Sequence, residues 1–232
     1  MPDNFGFESQ FKGENCIFNL LTSDEMSVLK ANSSISGFRK NDYIFREGDA
    51  PEGMQYLKAG KVKMIKEGIS GREQIIRMFT ENGLISYRSL LAGEPHNGTA
   101  IAIEDSEIVT IPPFILYNVL LKNSNFALAL LKDLALELGH SNNRTISLTQ
   151  KHIRGRLAES ILFLKEKYGF ENDSLTLKVY LSREDLASLS NMTASNAIRT
   201  LSTFASEKII SIDGRKIKIT DLSKLEKISK QG

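Results

Sequence analysis

LSREDLASLSNMTASNAIRTLSTF, residues 181–204, keeps helical spacing on both sides of the segment SNMT and breaks it there. Ser182 stands where a helix cap is wanted, and Asp185 three residues on forms a variant of the capping box, with Leu186 and Leu189 facing inward. Asn191 tolerates the left-handed backbone of a tight turn, and Thr193 is placed to cap a second helix. Along that second helix Ala194, Ala197, Ile198, Leu201, Phe204 and Ala205 share one face, leaving Asn196, Arg199, Thr200 and Thr203 on the other. Two short helices joined this way are a helix-turn-helix. The major groove of B-DNA, about 12 Å wide, admits a helix whose inserted face is slim and carries donors and acceptors. Small polar residues with one arginine meet that requirement.

Immediately afterwards comes KIISIDGRKIKIT, residues 208–220. Ile210 and Ile212 alternate into Asp213-Gly214 and out through Ile217 and Ile219, as in a hairpin with a two-residue turn. Arg215, Lys216 and Lys218 decorate it, so it reads as a basic wing resting on phosphates. A small helical bundle with a solvated polar face is the plainer alternative. The conjunction of turn chemistry, slim polar face and basic hairpin favours DNA.

Charge supports this. Residues 1–150 hold 15 Lys and Arg against 18 Asp and Glu, while residues 151–232 hold 15 against 10. The halves are therefore −3 and +5, which fits a sensing part joined to a part that meets a polyanion. No run of about 18 apolar residues is present to span a bilayer, and MPDNFGFESQ lacks the basic start and apolar stretch of a secretory signal. The expectation is a cytoplasmic protein with no membrane partner. One cysteine, Cys16, cannot close an intramolecular disulfide or hold an iron-sulfur cluster by itself, and reads as a buried, inert thiol.

From Tyr43 to Ile111 short β-prone pieces are cut by glycine: YIFREG, MQYLKAG, KVKMIKEG, REQIIRMFTENG, GTAIAIE and EIVTI. That spacing predicts an antiparallel sandwich or jelly roll. TSDEMSVLKAN before it reads as a short helix capped by Thr22 or Ser23. After Pro112 and Pro113 the period turns helical. Ala127, Leu131, Leu134, Leu138, Ser141, Thr145 and Leu148 then form a heptad-like seam. Leu130 and Leu136 widen the apolar surface enough to serve both the β domain and a second copy of the chain. A break near Gln150–His152 precedes IRGRLAESILFLKEKYG, a helix ending at Gly169.

With these pieces in order, the chain from about Leu21 to Asp221 resembles the Crp/Fnr superfamily of bacterial transcription regulators. IFREGDAPEGMQYLKAGKVKMIKEG and GREQIIRMFTENGLISYRSLLAGE are similar to the family's cyclic-nucleotide-binding-type β-roll, and residues 181–219 to its winged helix-turn-helix. The resemblance implies an α+β protein in three parts: a β-roll sensor domain at 1–123, a central dimerisation helix at 124–150 and a winged helix-turn-helix at 151–232. It implies a homodimer on a pseudo-palindromic DNA site, contact with RNA polymerase, and a small-molecule effector read by the roll. The residues expected to meet DNA are Ser182, Arg183, Thr193, Ser195, Asn196, Arg199, Arg215 and Lys216. Arg199 is assigned to a guanine edge, Asn196 and Ser195 to a base or phosphate, and Thr193, Arg183 and Arg215 to phosphates.

The departures from the family decide the effector chemistry. Members that bind cyclic AMP use a glutamate for the ribose and an arginine followed by a small hydroxyl residue for the phosphate. Those positions fall at Tyr87 and near Asn97-Gly98-Thr99, so neither charge partner is present. The candidate effector pocket is therefore Ser86, Tyr87, Arg88 and Thr99, with an effector that is either absent or other than cyclic AMP, and Arg88, beside Tyr87 in a strand, points to the opposite face. Ala194 and Ser195 stand where members reading TGTGA-like half-sites place arginine and glutamate, which predicts an altered consensus. His96 and His140 read as ordinary polar residues. No cofactor or metal is expected. An enzyme is not expected either, since the β region holds only His96 and metal-dependent jelly-roll chemistry needs several histidines. The remaining rival is a small-molecule sensor acting through protein contacts.

Overall fold

A computed structural model describes residues 16–68 and 71–231 of the chain. Two compact units emerge: residues up to Lys66 with Ile76–Gly139, and Glu67–Ile75 with His140 onward. The expected start of the sensor domain, residues 1–15, lies outside the described residues.

The strands are β1 (Ser34–Phe38), β2 (Tyr43–Phe45), β3 (Met54–Ala59), β4 (Val62–Glu67), β5 (Glu73–Phe79), β6 (Leu84–Ile85), β7 (Thr99–Ala102) and β8 (Ser106–Ile111). They form two sheets, ordered β1-β8-β3-β6 and β2-β7-β4-β5, and together make an antiparallel β-roll. Side-chain alternation turns Leu57, Val62, Met64, Ile85, Ala100 and Ile108 into the space between the sheets. Gly60 turns β3 into β4 at φ +95°, and a Cβ there would lie 2.8 Å from Ser106 Cα, so only glycine lets these segments approach.

The other face of β3 and β8 carries Met54, Tyr56, Val109 and Ile111, and helices cover it. These are α1 (Ser23–Asn32), α2 (Tyr87–Ala92), α3 (Pro113–Asn118) and α4 (Ser124–Gln150). Thr22 caps α1 through a full capping box with Glu25. Cys16 is buried in this cluster, with Sγ 3.7 Å from Tyr56 Oη. The segment at Tyr87 and Arg88 is helical, which corrects its reading as a strand. Ser86 enters the left-handed region at φ +62° and starts a short turn of helix that no period-two pattern can show.

On α4, Phe126 and Leu130 are buried against the roll, and Leu134 packs there as well. Leu134 therefore belongs to the roll side, a correction to the predicted seam. Leu128, Leu131 and Leu138 remain 66, 63 and 64% exposed on another face of the helix.

The second unit holds α5 (Ile153–Tyr168), α6 (Arg183–Leu189), α7 (Ala194–Ser206), the hairpin β9 (Ile210–Asp213) and β10 (Lys216–Ile219), and α8 (Leu222–Gln231). Leu157, Ile161, Leu186, Leu201, Phe204 and Ile217 are among its buried side chains. Gly169 closes α5 at φ +68°, its N–H bonded to the Lys165 carbonyl at 2.9 Å. The terminal helix α8 was not foreseen. Asp221 starts it by accepting from Lys224 N at 2.9 Å, and Leu225 anchors it.

Candidate nucleic-acid interface

Local hydrogen bonds build the helix-turn-helix. Ser182 Oγ accepts from Asp185 N at 3.0 Å while Asp185 Oδ2 accepts from Ser182 N at 3.3 Å, so α6 has a reciprocal capping box. Asn191 sits at φ +49°, and Met192 N returns to the Ala187 carbonyl at 3.0 Å. Thr193 Oγ1 then accepts from Asn196 N at 3.3 Å and caps α7. Two anchors of the turn carry no local sequence signal. Arg156, on α5, donates to the carbonyls of Ser190 and Asn191, both at 3.1 Å. Ser188 accepts from Ile75 N at 2.8 Å and donates to the Glu73 carbonyl at 3.0 Å, within the same unit.

The structure places the expected DNA residues as follows. Ser195 and Arg199 are exposed on α7, and Arg199 Nη2 donates to Asn196 Oδ1 at 2.6 Å. Thr193 is exposed, with its hydroxyl engaged in the cap. Ser182 is half-buried, likewise engaged in its cap. Ile198 was expected inward but is 49% exposed, because Ala197, Leu201 and Phe204 already define a narrow buried stripe about 100° away. It adds an apolar group beside Arg199, of the kind that packs on a thymine methyl.

The hairpin turn is Gly214-Arg215, with Asp213 paired to Lys216, a one-residue correction to the predicted Asp213-Gly214. Gly214 takes φ +55° in the first central position, where a glycine-led two-residue turn requires it. Arg215 and Lys216 are exposed at this tip. Lys218 is not free, since its Nζ lies 3.6 Å from Asp173 Oδ2. Arg183 is also engaged: its Nη2 donates to the Gly214 carbonyl at 2.7 Å, tying the start of α6 to the hairpin.

In the roll, the four effector candidates are not gathered round one space. Tyr87 is buried and its hydroxyl donates to Asp133 Oδ2 at 2.5 Å. Burial, with Asp133 beside it, pushes that phenol well above its ordinary pKa. Arg88 pairs with Glu94 at 3.0 Å, and Thr99 Oγ1 accepts from Glu47 N at 3.0 Å. Ser86 alone of the four lines a cavity of about 320 Å³, its hydroxyl donating to the Gly53 carbonyl at 2.6 Å. A Cβ at Gly98 would lie 2.6 Å from the Ile65 carbonyl, so a hydroxyl side chain does not fit there. These residues do not suit a cyclic phosphate. His96, read as an ordinary polar residue, is in fact 4% exposed and stacked on Phe45 with ring centroids 3.7 Å apart.

Residues 36–123 match the family model of the cyclic nucleotide-binding domain, and residues 155–228 that of the Crp-like helix-turn-helix domain. A CRP-like cAMP-activated global transcriptional regulator of Mycobacterium tuberculosis is 24% identical over 210 residues, covering 90% of this chain and 94% of that one. The global nitrogen regulator of Nostoc sp. is 25% identical over 188 residues, 80% of this chain and 84% of the relative. The structure of FixK2 from Bradyrhizobium japonicum superposes with a TM-score of 0.76 at 22% identity, covering 84% of this chain and 96% of that chain. A β-roll of the cyclic nucleotide-binding type, a long helix and a Crp-like helix-turn-helix thus share one chain, which belongs to the Crp/Fnr family of DNA-binding transcription regulators.

Proposed function

We propose that two copies of the chain pair along α4 and place their α7 helices in successive major grooves of a pseudo-palindromic site, about 34 Å apart. The observation that carries this reading is the exposed row of Ser195, Ile198 and Arg199 on α7, backed by the basic Gly214-Arg215 tip. Arg199 reads a guanine edge, and Asn196, its hydrogen-bond partner, fixes the guanidinium's approach. Ser195 adds a base or phosphate contact. Thr193, Arg215 and Lys216 lie on phosphates, whereas Ser182 and Arg183 hold the scaffold. Pairing is supported by Leu128, Leu131 and Leu138, too exposed for a helix in water without a partner. In this reading residues 1–123 sense, 124–150 pair and 151–232 bind DNA, with RNA polymerase as the downstream partner. The roll responds to an effector other than cyclic AMP.

Selection of bound fragments from randomised duplex DNA, with and without cell extract, tests the reading. A two-fold symmetric consensus with half-site centres one helical turn apart is expected. Absence of any salt-sensitive duplex binding, with or without extract, overturns it.

A further inference from the structure

Ile44, Phe45 and Ala50 give the roll's cavity an apolar side, while Asp49 and Glu52 are exposed carboxylates in its lining. Among the described residues no lysine or arginine lines it. Two lining residues, Gln55 and His96, carry buried atoms without a hydrogen-bond partner, Gln55 Oε1 and His96 Nδ1. Unpaired buried polar atoms are costly, so their clustering in one cavity wall marks a site whose partner arrives from outside the chain. Burial also lowers the pKa of the His96 imidazole, which leaves it neutral and able to accept. The Gln55 amide turns about a soft terminal torsion, so a small rotation brings its oxygen to a ligand.

We propose that this cavity binds a small organic cation, an amine or guanidinium whose N–H groups bond to Gln55 and His96 while Asp49 and Glu52 balance its charge. Its apolar part lies against Ile44 and Phe45. An anionic nucleotide would meet two carboxylates, and the Arg88 guanidinium, whose charge reaches His96, is already paired with Glu94 at 3.0 Å. The inference deepens the reading of the roll as the sensor and rests on it only for its consequence, not for the binding itself.

Agmatine, which carries both a guanidinium and an ammonium, is the probe, titrated into the full chain by calorimetry and by ¹⁵N NMR of the histidine rings. Saturable binding that shifts the His96 Nδ1 resonance is expected, weakened about tenfold or more in Glu52→Gln and in Gln55→Leu. Gln55→Leu should melt no lower than the parent, because it removes an unpaired acceptor. Should that variant not fold, Glu52→Gln alone decides, since Glu52 is exposed. No saturation with millimolar agmatine, equal binding by the folded variants, or tight binding of cyclic AMP overturns the proposal. DNA binding, scored on the same preparation, separates its failure from failure of the DNA reading.

Discussion

Arg199 on α7 donates to the side-chain oxygen of Asn196, one helical turn earlier, at 2.6 Å. The pair holds the guanidinium along the exposed face of the helix, so the entropy of orienting a long side chain is partly lost before DNA arrives. Replacing Arg199 by Ala should cost about 1–3 kcal/mol of discrimination at one base pair per half-site. Lysine should not restore it, because an ammonium lacks the planar fork that fits a guanine edge. Fluorescence anisotropy on the selected site and on single-base variants measures this, and an unchanged base preference removes Arg199 from the readers.

Arg215 and Arg183 should behave differently although both are arginines near one turn. Arg215→Ala should weaken binding to all duplexes alike and lower the slope of log affinity against log salt by about one. Arg183→Ala releases the Gly214 carbonyl and should lower the melting temperature as well. If both variants melt with the parent and change the salt slope equally, Arg183 contacts phosphate rather than holding the hairpin.

Leu131 and Leu138 lie seven residues apart on an exposed face of α4. Changing both to Glu should leave circular dichroism intact, since neither side chain is part of the buried core, yet yield monomers in sedimentation. Like charges would then face each other along a shared seam. A double variant that still sediments as a dimer and binds its operator places the pairing surface elsewhere.

The turn before α7 rests on backbone geometry. Asn191→Val should destabilise by about 1–2 kcal/mol because a β-branched residue resists the left-handed region, whereas Asn191→Gly should be far milder. Ser182→Ala should cost about 1 kcal/mol through loss of the cap. Urea unfolding followed by fluorescence or dichroism gives both values.

Tyr87 and Tyr56 have phenols whose pKa is raised in the fold, chiefly by burial, with Asp133 and Cys16 respectively adding to the effect. A raised folded pKa means that this contribution to stability is complete below the unfolded value of about 10 and is lost as pH climbs through the folded one. Urea midpoints should hold to about pH 10 and then fall, more gently in Tyr87→Phe. A flat profile to pH 11.5, beyond roughly the free phenol's range, contradicts the assignment.

Much of the DNA-binding unit was legible in sequence because its determinants are local. A cap three residues from its partner, as with Ser182 and Asp185, and a left-handed Asn191 are decided by neighbouring atoms. The β-roll was legible as a class for the same reason: glycine punctuation and period-two burial need no knowledge of the whole. The helix α2 was missed because a left-handed Ser86 and a single turn leave no periodicity to detect. Ile198 was misplaced because a helical wheel shows which residues share a face and not how wide a face the core will cover.

What the amino-acid order determined by itself is the strand-rich class of the roll, the capped starts of α6 and α7 and the slim polar side of α7, since each follows from interactions within a few residues. Only the tertiary structure decided which charges remain available. Arg183 and Lys218 look as free as Arg215 until the chain folds, when Gly214 and Asp173 engage them from 31 and 45 residues away. The same long-range packing left Gln55 and His96 with unpaired atoms in one cavity wall, a juxtaposition across 41 residues that no local pattern encodes.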